Sequence, residues 1–193
     1  MRHHVADRFT AVLDANVLYP FLVRDVLLSF AWAGLYRPIW TDRINDEWSR
    51  NLIAKKPDRA EKIKETVEVM NEAFPEANIE GYETIIESLA LPDPDDRHVL
   101  AAAIKGHAGI IVTNNTKHFP AATLDGFDVE VSTADEFIVN TFQLYPMDAV
   151  AAIRAMRARY ASPALSADEL KLRIIAAGLV LLAAELDPHL SSV

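Results

Sequence analysis

Cysteine is absent from the 193-residue sequence, which excludes disulfide bonds and metal sites built from thiolates. Also absent is an apolar run that could cross a membrane, because the nearest candidate, residues 174–184, is about half the length of a spanning helix. No apolar segment of the signal-peptide type follows Arg2, His3 and His4. We therefore expect a cytoplasmic protein without membrane attachment.

An excess of positive charge is lacking as well, since 28 acidic residues outnumber 19 lysines and arginines and give a net charge of −9. This balance argues against a protein that coats nucleic acid non-specifically, because binding to phosphates needs lysine and arginine. It still allows a nuclease whose acids hold metal ions, since a bound cation inverts the local field. An acidic surface also suits a basic partner.

Short apolar runs alternate with helical spacings along most of the chain. The runs predict four buried strands, at residues 9–13, 38–41, 110–112 and 128–131. The helical spacings predict helices between them, at residues 19–33, 42–53, 58–74, 82–89 and 99–104. The alternation predicts an α/β fold with a mostly parallel sheet and helices on both faces.

Only helices are predicted after Pro146, at residues 147–160 and 166–186. Two capping-box sequences predict helix starts, at Thr133–Glu136 and Ser166–Glu169. We expect residues 1–145 to form one domain and residues 146–193 a helical C-terminal extension. Some apolar residues of this extension either pack on the domain or form an interface with a second copy or a partner: Ile174, Ile175, Leu179 and Leu182.

Two candidate acids lie at the ends or borders of buried elements. Asp14 comes directly after the first strand, at the carboxyl edge of the predicted sheet, where α/β proteins keep their sites. It is also suited to cap the helix that follows. Glu47 borders the buried face of helix 42–53, although it could instead form an ordinary surface pair with Arg43 or Arg50.

Three further acids, Asp93, Asp95 and Asp96, stand within four residues before the alanine-rich helix. Asp95 is well placed as the N-cap of that helix. A cap needs only one acid, and the repulsion within such a cluster is unfavourable unless a cation offsets it. Asp96 and Asp93 are therefore the better candidates for metal ligands.

Polar side chains also follow the third predicted strand, at Thr113, Asn114 and Asn115. Their hydroxyl and amide groups either form a simple turn or orient a metal-bound water or a phosphate.

Carboxylates from three separate elements, Asp14, Glu47 and Asp96, can meet at one edge of the predicted sheet. Oxygen ligands of this kind suit Mg²⁺ or Mn²⁺. The natural chemistry for such a set is the hydrolysis of a phosphodiester by a metal-bound water.

Three segments of the chain, in this order, resemble the PIN domain family: FTAVLDANVL at residues 9–18, TDRINDEW at 41–48 and LPDPDDRHVLAAAIKGHAGIIVTNNTKHFP at 91–120. This family comprises metal-dependent ribonucleases and includes the VapC-type toxins of bacterial toxin–antitoxin modules. The resemblance covers about residues 9–140 and implies a three-layer α/β/α sandwich. The helical tail resembles the C-terminal extension of one PIN subgroup.

The resemblance implies a site, a cofactor and partners. Asp14, Glu47 and Asp96 match the family's catalytic and metal-binding acids, and Asn115 matches a fourth catalytic position that is often Asp. The implied cofactor is Mg²⁺ or Mn²⁺ and the implied substrate is RNA. A small antitoxin protein and a second copy of the chain are the implied protein partners.

Neighbouring polar residues are expected to support this set: Asn16, Asp93 and Thr113. His118 stands directly before Phe119, where many PIN relatives have an Asp. His98 lies two residues past Asp96 and faces either the cleft or solvent.

Basic residues cluster on and after the helix of Glu47, at Arg43, Arg50, Lys55 and Lys56. They either guide an RNA backbone into the cleft or form a solvated helical face. Trp40 and Trp48 are either core residues or platforms on which an RNA base stacks.

The leading hypothesis is thus a metal-dependent endoribonuclease, the toxin of a toxin–antitoxin pair. One alternative is a phosphatase that forms an aspartyl phosphate on Asp14, but the usual second acid two residues later is Asn16. Another is a catalytically weak or inactive scaffold that binds RNA or a protein partner.

Overall fold

The structure is a computed structural model, and it describes residues 9–193 of the chain. The expectation about a signal peptide, which concerns Arg2, His3 and His4, lies outside the described residues. Within the described part of the chain, no helix combines the length and the apolar character that crossing a bilayer requires.

A four-stranded parallel sheet has the order β2-β1-β3-β4. Its strands are β1 Thr10–Leu13, β2 Arg37–Ile39, β3 Ile110–Val112 and β4 Glu130–Ser132. All four predicted strands are present, with ends that differ by one or two residues at most. The central strands are continuous apolar runs because parallel strands are buried on both faces. In register, Val12 of β1 lies between Ile39 of β2 and Ile111 of β3.

The parallel arrangement brings the carboxyl ends of the strands to one edge of the sheet. The ladder extends one residue beyond each central strand, since the Asp14 backbone N–H donates to the Val112 carbonyl at 3.1 Å. In the same way, the Thr113 N–H donates to the Ser132 carbonyl at 2.9 Å. The sheet itself therefore fixes the backbone of two predicted site residues.

The chain divides into two compact units, and the sheet lies in the unit of residues 9–19 and 37–132. The helices of this sheet unit are α1 Ala15–Leu18, α3 Asp42–Lys55, α4 Ala60–Ala73, α5 Glu83–Ile86, α6 Arg97–Lys105 and α7 Ala121–Leu124. Thr41 starts α3 by accepting a hydrogen bond from the Ile44 N–H at 3.2 Å. Gly106 ends α6 close to the sheet, because a Cβ there would lie 2.3 Å from Cδ1 of Ile39.

The second unit is helical and comprises the described residues 20–36 and 133–193. Its helices are α2 Phe21–Trp32, α8 Ala134–Leu144, α9 Pro146–Ala158, α10 Ala167–Ala176 and α11 Val180–Leu186. Both predicted capping boxes, at Thr133 and at Ser166, are confirmed. The predicted domain boundary after residue 145 stays a prediction, and α8 lies in the same unit as the C-terminal helices.

The single helix predicted over residues 166–186 is wrong. Gly178, with a φ of +86°, interrupts it, because this left-handed conformation cannot continue an α-helix. The chain restarts as α11, whose first N–H groups are capped from α8. Asp135 accepts from the Leu181 N–H at 2.7 Å and from the Leu182 N–H at 3.0 Å.

The apolar residues suggested for an interface are mostly core residues of the helical unit. Ile174, Leu179 and Leu182 are buried, whereas Ile175 is partly exposed. The α/β class with a parallel sheet and additional C-terminal helices is confirmed.

Candidate functional site

A cleft of about 790 Å³ opens in the sheet unit beside the ends of the strands. Predicted site residues from four separate segments line it: Asp14, Asn16, Glu47, Asp96 and Asn115. Three of the predicted basic residues line it as well: Arg43, Arg50 and Lys55. Thr113 is buried, and Lys56 lies outside the lining of this cleft. The fold thus brings three of the predicted acids, two amides and most of the basic cluster to one place.

Asp14 is almost completely buried and accepts hydrogen bonds at both carboxylate oxygens. Oδ1 accepts from the Ala15 N–H at 2.6 Å, which makes Asp14 the N-cap of α1. Oδ2 accepts from the Thr113 hydroxyl at 2.7 Å and from the Asn16 amide at 2.5 Å. The capping role and the position in the cleft are therefore compatible.

The surroundings of Asp14 make its ionised form unfavourable without a cation. Burial raises the pKa of Asp14 from 3.8 to about 6. Hydrogen bonds from Thr113 and Ala15 act in the opposite direction, and the charge of Asp96 raises the pKa further. A divalent cation near Asp14 and Asp96 would offset both the burial and the repulsion.

Asn16 joins the segment after β1 to the segment after β3. Its Nδ2 group donates to Asp14 and to the Thr113 hydroxyl oxygen at 2.7 Å, and its Oδ1 accepts from the Asn114 N–H at 2.9 Å. The Asn115 N–H in turn donates to the Thr113 hydroxyl oxygen at 3.1 Å. An amide can donate to Asp14 while it accepts from a backbone N–H, whereas an ionised carboxylate could only accept, so an Asn fits here where a second acid would not.

Glu47 is half-buried and is held through one carboxylate oxygen. Its Oε1 lies 3.1 Å from Nε of Arg43 and 3.2 Å from Nε2 of His98. Burial alone would raise the pKa of Glu47, but the hydrogen bonds and charges of His98 and Arg43 outweigh it, so the pKa is lowered. Within residues 9–193, no hydrogen bond is formed by Oε2, which leaves that oxygen for a ligand.

The contact between His98 and Glu47 was not predicted from the sequence. The side chain of His98 is buried on α6 rather than facing the cleft or solvent, and its Nδ1 has no hydrogen-bond partner among the described residues. The sequence did contain one indication that His98 is buried, because it directly precedes the apolar residues 99–103, which are all buried. His98 thus supports Glu47 from the protein interior.

The prediction that Asp95 caps α6 is wrong. A short 3-10 turn, Pro94–Asp96, precedes the helix, so α6 begins one residue later and Asp96 occupies the N-cap position. Asp96 forms no side-chain capping bond. Asp93 instead caps the 3-10 turn, since its Oδ1 accepts from the Asp95 N–H at 3.0 Å.

The contact between His118 and Asp96 was not predicted from the sequence either. Nδ1 of His118 lies 2.6 Å from Oδ2 of Asp96 and 3.9 Å from Oδ2 of Asp93. Ligand atoms of these three residues all lie within 4.8 Å of one another, close enough to hold one metal ion. Two carboxylates beside an imidazole offer a donor set that fits a divalent cation.

The remaining lining of the cleft combines positive charge with two aromatic residues, Tyr19 and the buried Trp48. Nζ of Lys55 lies 5.7 Å from the centre of the Tyr19 ring, and both residues line the cleft. The suggestion that Trp40 or Trp48 stacks on RNA is wrong, because both rings are fully buried. Tyr19 is the aromatic residue whose side chain is partly exposed there.

Two family profiles and a curated protein match parts of the chain. A family profile described as PIN domain matches residues 10–117, and one described as VapC50 C-terminal domain matches residues 134–188. The chain is 40% identical over 68 residues to the Mycobacterium tuberculosis (strain ATCC 25618 / H37Rv) protein named "Putative ribonuclease VapC50". That match covers 35% of this chain and 40% of the relative, so it spans less than half of either protein. No solved structure matches the chain.

Proposed function

The chain belongs to the PIN domain family, and from that premise we propose that it is a metal-dependent endoribonuclease and the toxin of a toxin–antitoxin pair. One observation carries the proposal: Asp14, Glu47 and Asp96, from three separate segments, line one cleft together with Asn115. The relative's name and the match to a VapC50 C-terminal domain support the toxin role. The partners are RNA and a small antitoxin protein.

Asp14, Glu47 and Asp96 hold a Mg²⁺ or Mn²⁺ ion in this proposal. When bound, the ion supplies a water of lowered pKa and offsets charge that develops on the phosphate. Thr113 and Asn16 orient Asp14 through hydrogen bonds to Oδ2. Arg43 and His98 orient Glu47 through Oε1 and leave Oε2 for the ion. Each acid is therefore held in place by neutral or positively charged donors.

RNA approaches along the basic side of the cleft in this proposal. Arg43, Arg50 and Lys55 lie on α3, spaced so that they share its cleft-facing side with Glu47. They attract phosphates, while the acids bind the ion. Asn115 also lines the cleft, and its amide is a neutral donor for a phosphate oxygen.

We expect the purified protein to cut single-stranded RNA internally when Mg²⁺ or Mn²⁺ is present, and to stop when EDTA removes the ion. A circular RNA substrate separates internal cleavage from trimming at the ends. In cells, expression should arrest growth, and co-expression of a small DNA-binding protein encoded next to this gene should restore it. Intact RNA with either ion would instead support the inactive scaffold, whereas a beryllofluoride adduct on Asp14 would support the phosphatase.

The basic side of the cleft gives a second expectation. Replacing Arg50 and Lys55 together by alanine should lower kcat/KM and weaken its dependence on salt. Each phosphate contact on a single strand contributes about −0.7 to the slope of log affinity against log salt, so the slope should become less steep by about 1.4. Activity measured from low to moderate ionic strength checks this.

The matched control is Arg59→Ala with Lys62→Ala, beyond α3. Arg59 pairs with Asp58 much as Arg50 pairs with Asp46, and all four side chains are exposed. Arg59 and Lys62 lie outside the lining of the cleft. Equal salt slopes in the two double variants would contradict a role of the α3 residues in RNA binding.

A further inference from the structure

Asp93, Asp96 and His118 form a compact group of metal-binding side chains. Asp93 precedes the 3-10 turn Pro94–Asp96 and Asp96 is its last residue, whereas His118 ends a separate turn, Thr116–His118. Their nearest ligand atoms lie within 4.8 Å of one another. Two carboxylates and an imidazole from separate turns thus face one point.

Helix capping and turn formation do not explain why the carboxylates of Asp93 and Asp96 both lie close to His118. Asp96 stands at the N-cap of α6 without capping it, so its carboxylate is not engaged by the helix. Asp93 uses Oδ1 for the turn, and its Oδ2 faces His118 at 3.9 Å. Among residues 9–193, neither carboxylate forms an ion pair with a lysine or arginine. The imidazole of His118 is the basic side chain that approaches both carboxylates.

The donor set distinguishes between divalent ions. Mg²⁺ prefers oxygen ligands in a strict octahedron and keeps several of its waters. An imidazole nitrogen suits first-row transition ions, and these bind mixed nitrogen and oxygen sites in an order in which Mn²⁺ is the weakest. A ring nitrogen beside two carboxylates therefore favours a transition ion over Mg²⁺.

We propose that His118 is a nitrogen ligand to a divalent first-row transition ion held with Asp93 and Asp96, and that this set binds Mn²⁺ more tightly than Mg²⁺. The inference deepens the proposed function, because Asp96 also belongs to the proposed nuclease site. It names the class of metal ion that Asp96 binds together with Asp93 and His118. Binding is measured without RNA, so it does not depend on cleavage.

The test titrates the full chain with Mn²⁺ and follows the free ion by electron paramagnetic resonance, with Mg²⁺ as competitor. The bound ion should show the electron spin-echo modulation of a directly coordinated ¹⁴N nucleus. His118→Asn should abolish this modulation and weaken Mn²⁺ binding at least about tenfold. His118→Asp, which exchanges nitrogen for oxygen, should abolish the modulation and reduce the preference for Mn²⁺ over Mg²⁺.

His107→Asn is the matched control. His107 is exposed and has a φ of 52°, a conformation that Asn tolerates, so this change should leave Mn²⁺ binding and the ¹⁴N signal as in the wild type. Circular dichroism confirms that each variant is folded, and the ¹⁴N signal of the wild type gives a test that needs no variant.

Absence of ¹⁴N modulation in the wild type would overturn the proposal and leave His118 as a hydrogen-bond partner of Asp96. Equal Mn²⁺ affinity in the wild type and in His118→Asn would overturn it as well. A protein that shows the His118-dependent signal but cuts no RNA would retain the metal site and lose the nuclease function. The two proposals can therefore fail separately.

Discussion

Asp14→Asn should lower kcat/KM for RNA cleavage at least about 100-fold without loss of the fold, and Asp96→Asn should do the same. Both changes keep the size of the side chain and remove a charge that faces the proposed ion. A metal ion contributes several kcal/mol of charge stabilisation, and each 1.36 kcal/mol is a factor of ten in rate. Arrest of cell growth by the expressed protein should disappear together with cleavage.

The control for these variants is Asp46→Asn. Asp46 is an exposed acid on α3, one residue before Glu47, but it pairs with Arg50 and lies outside the lining of the cleft. Its replacement should leave cleavage near the wild-type rate. The site assignment would be wrong if Asp14→Asn or Asp96→Asn kept more than a tenth of the activity while circular dichroism matched the wild type.

The contribution of Asp14 to the stability of the metal-free protein should fall as the pH rises. Below pH 3.8 the Asp14 carboxyl group is protonated in both the folded and the unfolded chain. Between pH 3.8 and about 6 the unfolded chain releases this proton while the folded chain retains it, so unfolding becomes easier. Above that range the loss is complete and amounts to about 3 kcal/mol, at 1.36 kcal/mol per pKa unit.

Urea unfolding in EDTA from pH 4 to 7.5 checks this expectation, with Asp14→Asn as the reference. Carboxylates whose pKa is lowered, such as Glu47, contribute with the opposite sign, so the difference between the two proteins isolates Asp14. As the pH rises, the free energy of unfolding of the variant should increase relative to that of the wild type. If the free energy of unfolding changes with pH in the same way in both proteins, the surroundings of Asp14 do not disfavour its ionised form. Added Mn²⁺ at pH 7.5 should stabilise the wild type more than the variant.

The acids could be predicted from the sequence because each follows a local pattern. Asp14 comes after a buried apolar run, and Glu47 borders the apolar stripe of α3. The parallel order of the strands then brings segments that are distant in the sequence to one edge. The same reasoning predicted the sheet and the helix starts at Thr133 and Ser166, since apolar periodicity and capping boxes are also local signals.

The histidine contacts could not be predicted in this way. His98 contacts Glu47, 51 residues away in the sequence, and His118 contacts Asp96, 22 residues away. Residue spacing within one helix or turn cannot predict contacts over such separations. The error at Asp95 has another cause, because the 3-10 turn before α6 shifts the helix start by a single residue. Residue preferences do not locate the start of a helix to within a single residue.

Asn16 has a consequence for the order of events at the site. Its single amide ties the ends of two neighbouring central strands and also fixes Asp14, so these contacts form when the chain folds. If Asp14 binds an ion as proposed, its side chain is already held in one rotamer, so binding would need little ordering of the protein. The Asn114 N–H, which donates to Asn16, should accordingly exchange slowly with solvent even in the metal-free protein, although Asn114 lies on the surface.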